Sequence, residues 1–181
     1  MKNFVFATLM CVAAISAKAQ VITSEIVNHT YETVTNQTDG KYVYNAEREG
    51  NDITTMYVYK VVVNSKDMVL LTPYLKYDYT YTPDGLLTSR EVSRWMVEKD
   101  DWMRTSRFDY ALTNDSYSTA YSRFNYWTNS FDQPIEKMEY SLVPDENVNV
   151  VNYYHRKNPS SDFQLISKCL IEDTELLYAQ K

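Results

Sequence analysis

Glycine is nearly missing from this chain of 181 residues: Gly40, Gly50 and Gly85 are the only three, each isolated among turn-forming residues. That excludes a glycine-rich phosphate loop, whose cradle needs several glycines close together. Histidine is scarcer still, since His29 and His155 stand too far apart for a spaced ligand motif such as H-E-x-x-H. Neither a metal site nor a cofactor is read from the sequence. Apolar runs are short after the first twenty residues, so nothing there is long enough for a membrane helix of about 20 residues.

The first twenty residues differ from the rest. Lys2 and Asn3 precede a run from Phe4 to Ile15 that is apolar apart from Thr8, and Ala17-Lys18-Ala19 precedes Gln20. A short positive region, an apolar stretch and a small-x-small site form the pattern of a secretory signal peptide. The expectation is a signal over residues 1–19 and one all-β domain over 20–181, working in the periplasm or outside the cell. Cys11 follows Met10 inside the apolar run, a setting unlike that of a lipid-anchored cysteine. Removing the signal deletes Lys2 and Lys18 but no acid, moving the net charge from −6 to −8. So acidic a chain is repelled by phosphate backbones and anionic headgroups, so nucleic acid and membrane insertion are excluded as partners. Cys169 would then be the one remaining thiol, and no internal disulfide can form. Its neighbours Leu165, Ile166, Leu170 and Ile171 predict an inert, buried thiol.

What the chain has in quantity is tyrosine, 17 residues of it, with six Phe and three Trp. Turn signals recur at Asp39-Gly40, Gly50-Asn51-Asp52, Asn64 to Asp67, Pro83-Asp84-Gly85, Lys99-Asp100-Asp101, Asn114-Asp115-Ser116, Asp132-Gln133-Pro134, Pro144 to Asn147 and Asn158-Pro159-Ser160. The segments between them, about 9 to 15 residues each, have the spacing of a hairpin meander. Within them Tyr42/Tyr44, Tyr57/Tyr59, Tyr77/Tyr79/Tyr81, Phe108/Tyr110, Phe124/Tyr126 and Met138/Tyr140/Leu142 repeat at i, i+2, and so project from one side of a strand. The fold expected is all-β, an antiparallel meander of about 8–11 strands forming a curled sheet, a two-layer sandwich or an open barrel. Asp162 to Lys181 fits a strand or a short helix, with the strand preferred.

Leu, Ile and Val are thinly spread, so the tyrosine stripes are expected to supply most of the interior. Ile53 to Val63 carries apolar residues on both parities and is expected to be the most buried strand. The aromatic parity changes between Tyr121 and Phe124, which a bulge near Ser122-Arg123 would explain.

One local pattern recurs as Lys76-Tyr77-Asp78-Tyr79, Arg107-Phe108-Asp109-Tyr110 and Arg123-Phe124-Asn125-Tyr126, with echoes at Lys41-Tyr42-Val43-Tyr44 and Lys137-Met138-Glu139-Tyr140. Its charges share the face opposite its rings, where cross-strand ion pairs are expected. In this pattern Lys41 to Leu142 resembles the YD-type repeats of bacterial cell-surface and toxin-shell proteins, which build curled antiparallel sheets. With its signal peptide, size and Tyr-rich strands, the whole chain resembles a family of small secreted proteins of Bacteroidetes known as a domain of unknown function. That resemblance implies export and an all-β fold, and it brings no catalytic residues.

Candidate chemistry is sparse. Asp100-Asp101 and Glu172-Asp173 are adjacent acids whose side chains on a strand would diverge, so neither makes a facing carboxylate pair. Asp145-Glu146-Asn147 lacks the alternate-residue acids of a calcium loop. No catalytic residue is assigned. Ligand binding has better candidates: Trp127 is off the parity of Phe124 and Tyr126, and one of Tyr153 and Tyr154 must face outward. These predict an exported, non-enzymatic binding or structural module for a protein or glycan ligand at the cell envelope. The alternative is a glycan-processing enzyme using a carboxylate pair that the sequence does not locate.

Overall fold

The computed structural model describes residues 21–36, 40–63, 65, 67–113, 116–143 and 148–172. The signal-peptide expectation, the Asp145-Glu146-Asn147 segment and the tail from Asp173 lie outside these residues. Among the described residues there are ten strands, most of them alternating apolar or aromatic with polar residues: β1 (Tyr42–Glu49), β2 (Asp52–Val63), β3 (Val69–Tyr81), β4 (Leu87–Met96), β5 (Asp101–Leu112), β6 (Tyr117–Asn125), β7 (Ser130–Phe131), β8 (Glu136–Val143), β9 (Val148–His155) and β10 (Gln164–Glu172). They pair as an antiparallel meander, as expected, and the C-terminal segment is a strand. Among the described residues the expected turns around Gly50, Gly85 and Asp100 reverse the chain, whereas Asp39, Asn64, Asn114-Asp115 and Pro144 to Asn147 lie outside them. Gly50, Gly85 and Asp100 adopt positive φ of 61°, 75° and 50° between β1 and β2, β3 and β4, and β4 and β5, the left-handed backbone that tight reversals need and that glycine enters without a Cβ clash.

The described chain forms two compact units. One comprises the described residues within Ile22–Tyr110 and Tyr121–Pro134, the other those within 111–120 and 135–172. In the first, β1 to β5 are hydrogen-bonded in chain order, and Phe124 and Asn125 pair with Phe131 and Ser130. In the second, β9 lies between β8 and β10.

A helix that the sequence reading did not assign opens the first unit: α1 (Ser24–Asn36). Its β-branched and aromatic content argues against a helix on propensity alone, so local bonding and packing decide. Thr23 Oγ1 accepts from the Ile26 amide at 3.4 Å at the helix start. Thr30 and Thr35 donate their hydroxyls to the Ile26 and Tyr31 carbonyls at 2.7 and 2.9 Å, which satisfies polar groups that would otherwise compete with the helix. The Ser24 amide donates to Gly85 O and the Leu87 amide to Ile22 O, both at 2.9 Å, tying the helix entry to the β3–β4 turn.

Register shows which way each stripe points. Ala46, Met56, Tyr77 and Val92 stand opposite one another across β1 to β4. This is the face that α1 covers: Val27 packs with Ile53 and Met56, bordered by Tyr31, Tyr44, Tyr77, Tyr79 and Tyr81. Tyr79 stands 6.5 Å from Tyr77 and 6.4 Å from Tyr81, ring to ring, and the Tyr81 hydroxyl donates to Ile53 O at 2.9 Å. Phe108 and Tyr110 are also buried, with the Arg90 guanidinium 4.6 Å from the Phe108 ring. For these stripes the interior expectation holds.

Three expectations need correction. Tyr57 stands opposite Lys76, not opposite a ring of β3, so Tyr57 and Tyr59 point away from the helix. Ile53 shares their parity in the sequence, yet a register shift between Glu47 and Arg48 turns it to the helix side, where it is fully buried. Nor is β2 covered throughout, because Val62 and Val63 at its end are exposed, as are Met68 to Leu71 opposite. The parity change expected in β6 appears in its burial, with Tyr117 and Thr119 buried and then Ser122.

The recurring charge–ring–charge–ring pattern has a common geometry. Lys76–Asp78, Arg107–Asp109 and Lys137–Glu139 each close an ion pair of 2.9 Å along one strand, from i to i+2. Cross-strand pairs were expected; the long basic side chains instead bend along their own strand to the nearer acid on the same face. Each pair is partly exposed and is worth a few tenths of a kcal/mol.

Candidate functional site

The face of the first unit turned away from α1 carries a row of rings. A register shift between Val92 and Ser93 leaves Thr105 as the extra residue of β5, its hydroxyl donating to Val92 O at 2.9 Å. Trp102 thereby lies directly opposite Trp95 and on the same face as Arg107. The two indoles meet edge to face, with centroids 5.2 Å apart and planes at 72°, an arrangement that favours the ring quadrupoles. Trp102 also stands 6.0 Å from Tyr57, and Tyr57 stands 6.5 Å from Tyr59.

The backbones of β2 and β5 are about 14 Å apart, three strand spacings. A separation of 6.0 Å between rings rooted on those strands therefore means that Tyr57 and Trp102 lean toward each other. Beneath them run Lys76 and Ser93, the residues opposite Tyr57 in β3 and β4. Ser93 is buried although its side chain is on the outer face, as expected of a small residue roofed by rings. The four rings remain half-exposed.

Polar groups edge the row. Glu47, Thr55, Asp78, Glu91 and Arg107 stand opposite one another across β1 to β5. Thr55 donates to Asp78 at 3.1 Å and the Tyr57 hydroxyl to Glu47 at 3.1 Å. Burial, reinforced by that bond to Glu47, raises the Tyr57 phenol above its ordinary range. A second ring cluster lies beyond. Phe131 meets Phe124 at 5.1 Å and Phe124 meets Tyr126 at 5.2 Å. Arg104 stacks 4.4 Å over Phe124, and Arg107 4.8 Å over Phe131.

The residues singled out from the sequence are not brought into one site. Trp127, in the turn after Tyr126, is 98% exposed. Its amide donates to Asn125 Oδ1 at 3.0 Å, which shapes the turn. Tyr153 and Tyr154 belong to the second unit and point to opposite faces of β9, opposite Met138 and Lys137 respectively. Tyr154 lies under the Lys137 ammonium at 4.9 Å. Tyr153 has its phenol raised by burial and then by Glu136. Cys169 is exposed, which corrects the buried thiol expected from its neighbours. β10 ends the strand order and its residues 164–169 are all exposed, so the apolar neighbours in sequence do not cover the thiol. His29 is exposed and His155 half-buried. Among the described residues no three His, Cys, Asp or Glu converge as metal ligands, and no helix is long and apolar enough to cross a membrane.

Trp95 and Trp102 were missed, although their signal was present: six residues centred on a turn separate them, which makes them cross-strand partners. The outward side of Tyr57 is not visible in its sequence, because parity within one strand does not say which side is covered.

Comparison with known proteins agrees with the fold. No curated protein matches the chain. The crystal structure of a protein of unknown function from Bacteroides fragilis NCTC 9343 is similar with a TM-score of 0.61 and 20% identity, covering 75% of this chain and 95% of that one. Crystal structures of DUF3836 proteins from Bacteroides vulgatus ATCC 8482 and Parabacteroides distasonis ATCC 8503 are 24% and 16% identical, with TM-scores of 0.46 and 0.43. They cover 50% and 77% of this chain, and 88% and 97% of their own. The family of unknown function DUF3836 matches residues 1–142, most of the sequence, and the chain therefore belongs to that family.

Proposed function

We propose that the chain is an exported, non-enzymatic glycan-binding module of the cell envelope, holding sugar rings against Tyr57, Trp102 and Trp95. One observation carries this reading: three large rings within 6.0 Å of their neighbours lie half-exposed on the sheet face opposite the helix. A sugar ring offers an apolar face of C–H groups and a rim of hydroxyls. The aromatic row suits the face, and Glu47, Asp78 and Glu91 beside it are acceptors suited to the rim. Export rests on the signal-like pattern of residues 1–19.

Trp102→Ala is expected to weaken binding of a recognised oligosaccharide at least ten-fold, about 1.4 kcal/mol, as read by calorimetric titration. Trp102→Phe, which keeps a ring, should recover part of the loss. Unchanged far-UV circular dichroism would separate lost binding from lost folding. Equal affinity in wild type and Trp102→Ala would remove the proposed surface.

A glycan-processing role has one observation in its favour. Asp78 and Glu91 are directly opposed on one face, and opposed Cβ atoms stand about 5 Å apart, near the carboxylate spacing of retaining glycosidases. Release of new reducing ends by the wild type, abolished in Asp78→Asn, would favour that role over binding.

A further inference from the structure

Building on the glycan reading above, we propose that this surface selects uncharged glycan chains and rejects acidic ones. The observation is how the charges along the row are already engaged. Lys76 is paired with Asp78 and Arg107 with Asp109, each at 2.9 Å, and Arg107 also stacks on Phe131. Arg104, opposite Ser93 and two residues from Trp102 on the same face, stacks on Phe124. The carboxylates Glu47, Asp78 and Glu91 run in one line across β1, β3 and β4, next to Tyr57. A uronate or sulfate laid on the rings would meet three carboxylates, while Lys76 and Arg107 beside them are already paired with acids. The like-charge contacts are the main cost to an acidic chain, and breaking one of the partly exposed ion pairs adds only a little to it. A neutral hydroxyl donates to the same carboxylates without either penalty.

The rings of Tyr59, Tyr57, Trp102 and Trp95 follow one another at 6.5, 6.0 and 5.2 Å. A row of four rings suits consecutive sugar units of a chain better than a single monosaccharide.

The test is calorimetric titration of the full chain after signal removal with two sets of hexasaccharides, in low salt. One set is uncharged, of gluco, xylo, manno and galacto configuration; the other is oligogalacturonate, oligoalginate and hyaluronan. At least one uncharged chain should bind, every acidic chain should bind at least ten-fold more weakly, and Glu91→Gln should narrow that gap. Hexamers should bind at least ten-fold more tightly than the matching monosaccharide. Acidic chains binding as tightly as uncharged ones, through a contact that Trp95→Ala and Trp102→Ala abolish, would overturn the selectivity and leave the ring surface standing. Binding by neither set, or binding indifferent to both substitutions, would overturn the glycan reading as well.

Discussion

Ile53→Ala is expected to destabilise the protein by about 3 kcal/mol, within the range of large-to-small changes at fully buried aliphatic sites. Ile53 is the most enclosed side chain of the helix-covered core, at 0% exposure between Val27 and Met56. Removing its outer carbons leaves a void lined by α1 and β2, so α1 should loosen before the strands do. The measurement is the midpoint of denaturant unfolding, with the far-UV helix signal followed alongside. Val63→Ala is the matched control: Val63 lies on the same strand but is 61% exposed, and its loss should change stability by less than about 0.5 kcal/mol. Equal costs at the two positions would mean that β2 is not buried at one end and open at the other.

A steep loss of stability above pH 10 is the second large effect. Burial lifts the phenols of Tyr79 and Tyr110 above the ordinary tyrosine value, and the Arg90 guanidinium beside them offsets the shift only in part. The folded state therefore favours the protonated rings. Stability is fully present below about pH 10, where both states hold their protons. As the pH rises beyond that, the unfolded chain loses protons that the folded chain keeps, and stability falls until the folded phenols ionise in turn. Each of the two tyrosines contributes about 1.4 kcal/mol per pH unit, so together they give a slope near 3 kcal/mol. Unfolding midpoints measured from pH 8 to 11 check this, and Tyr79→Phe should lower the slope by up to about 1.4 kcal/mol per pH unit, the share of one phenol. A flat profile over that range would mean that the phenols are in water.

These effects trace back to features that differ in how legible they are in the sequence. Turn residues such as Gly50, Gly85 and Asp100 act through local backbone conformation, so the hairpins could be placed from the sequence. The alternation of Lys76, Tyr77, Asp78 and Tyr79 is local too, and it marks a strand with rings on one side and charges on the other. Which side is covered is a different matter. That depends on register between strands: Met56 opposite Tyr77 puts both under α1, and Lys76 opposite Tyr57 puts Tyr57 outside. One extra residue is enough to reverse a side chain, as Ile53 shows after the shift at Glu47 and Arg48. Helix α1 was hidden because its threonines and valines favour strands; Val27, Tyr31 and Val34, at helical spacing after Thr23, were the signal available.

The candidate surface was legible in part. Surface rings were expected, but at Trp127, whose indole stands alone in a turn, and at Tyr153 and Tyr154, which diverge. Trp95 and Trp102 lie at matching distances from the β4–β5 turn, so hairpin geometry alone pairs them. Their contact with Tyr57 spans four strands and needs the whole sheet.

The account stands on the sheet face opposite α1 being the one that engages ligand. Hydroxyl-radical footprinting with and without a bound neutral oligosaccharide tests this directly, residue by residue. The expected result is lower oxidation of Tyr57, Trp95 and Trp102, with Trp127, Tyr153 and Tyr154 unchanged. Protection centred on Trp127 or on β9, with Trp95 and Trp102 oxidised as before, would contradict it.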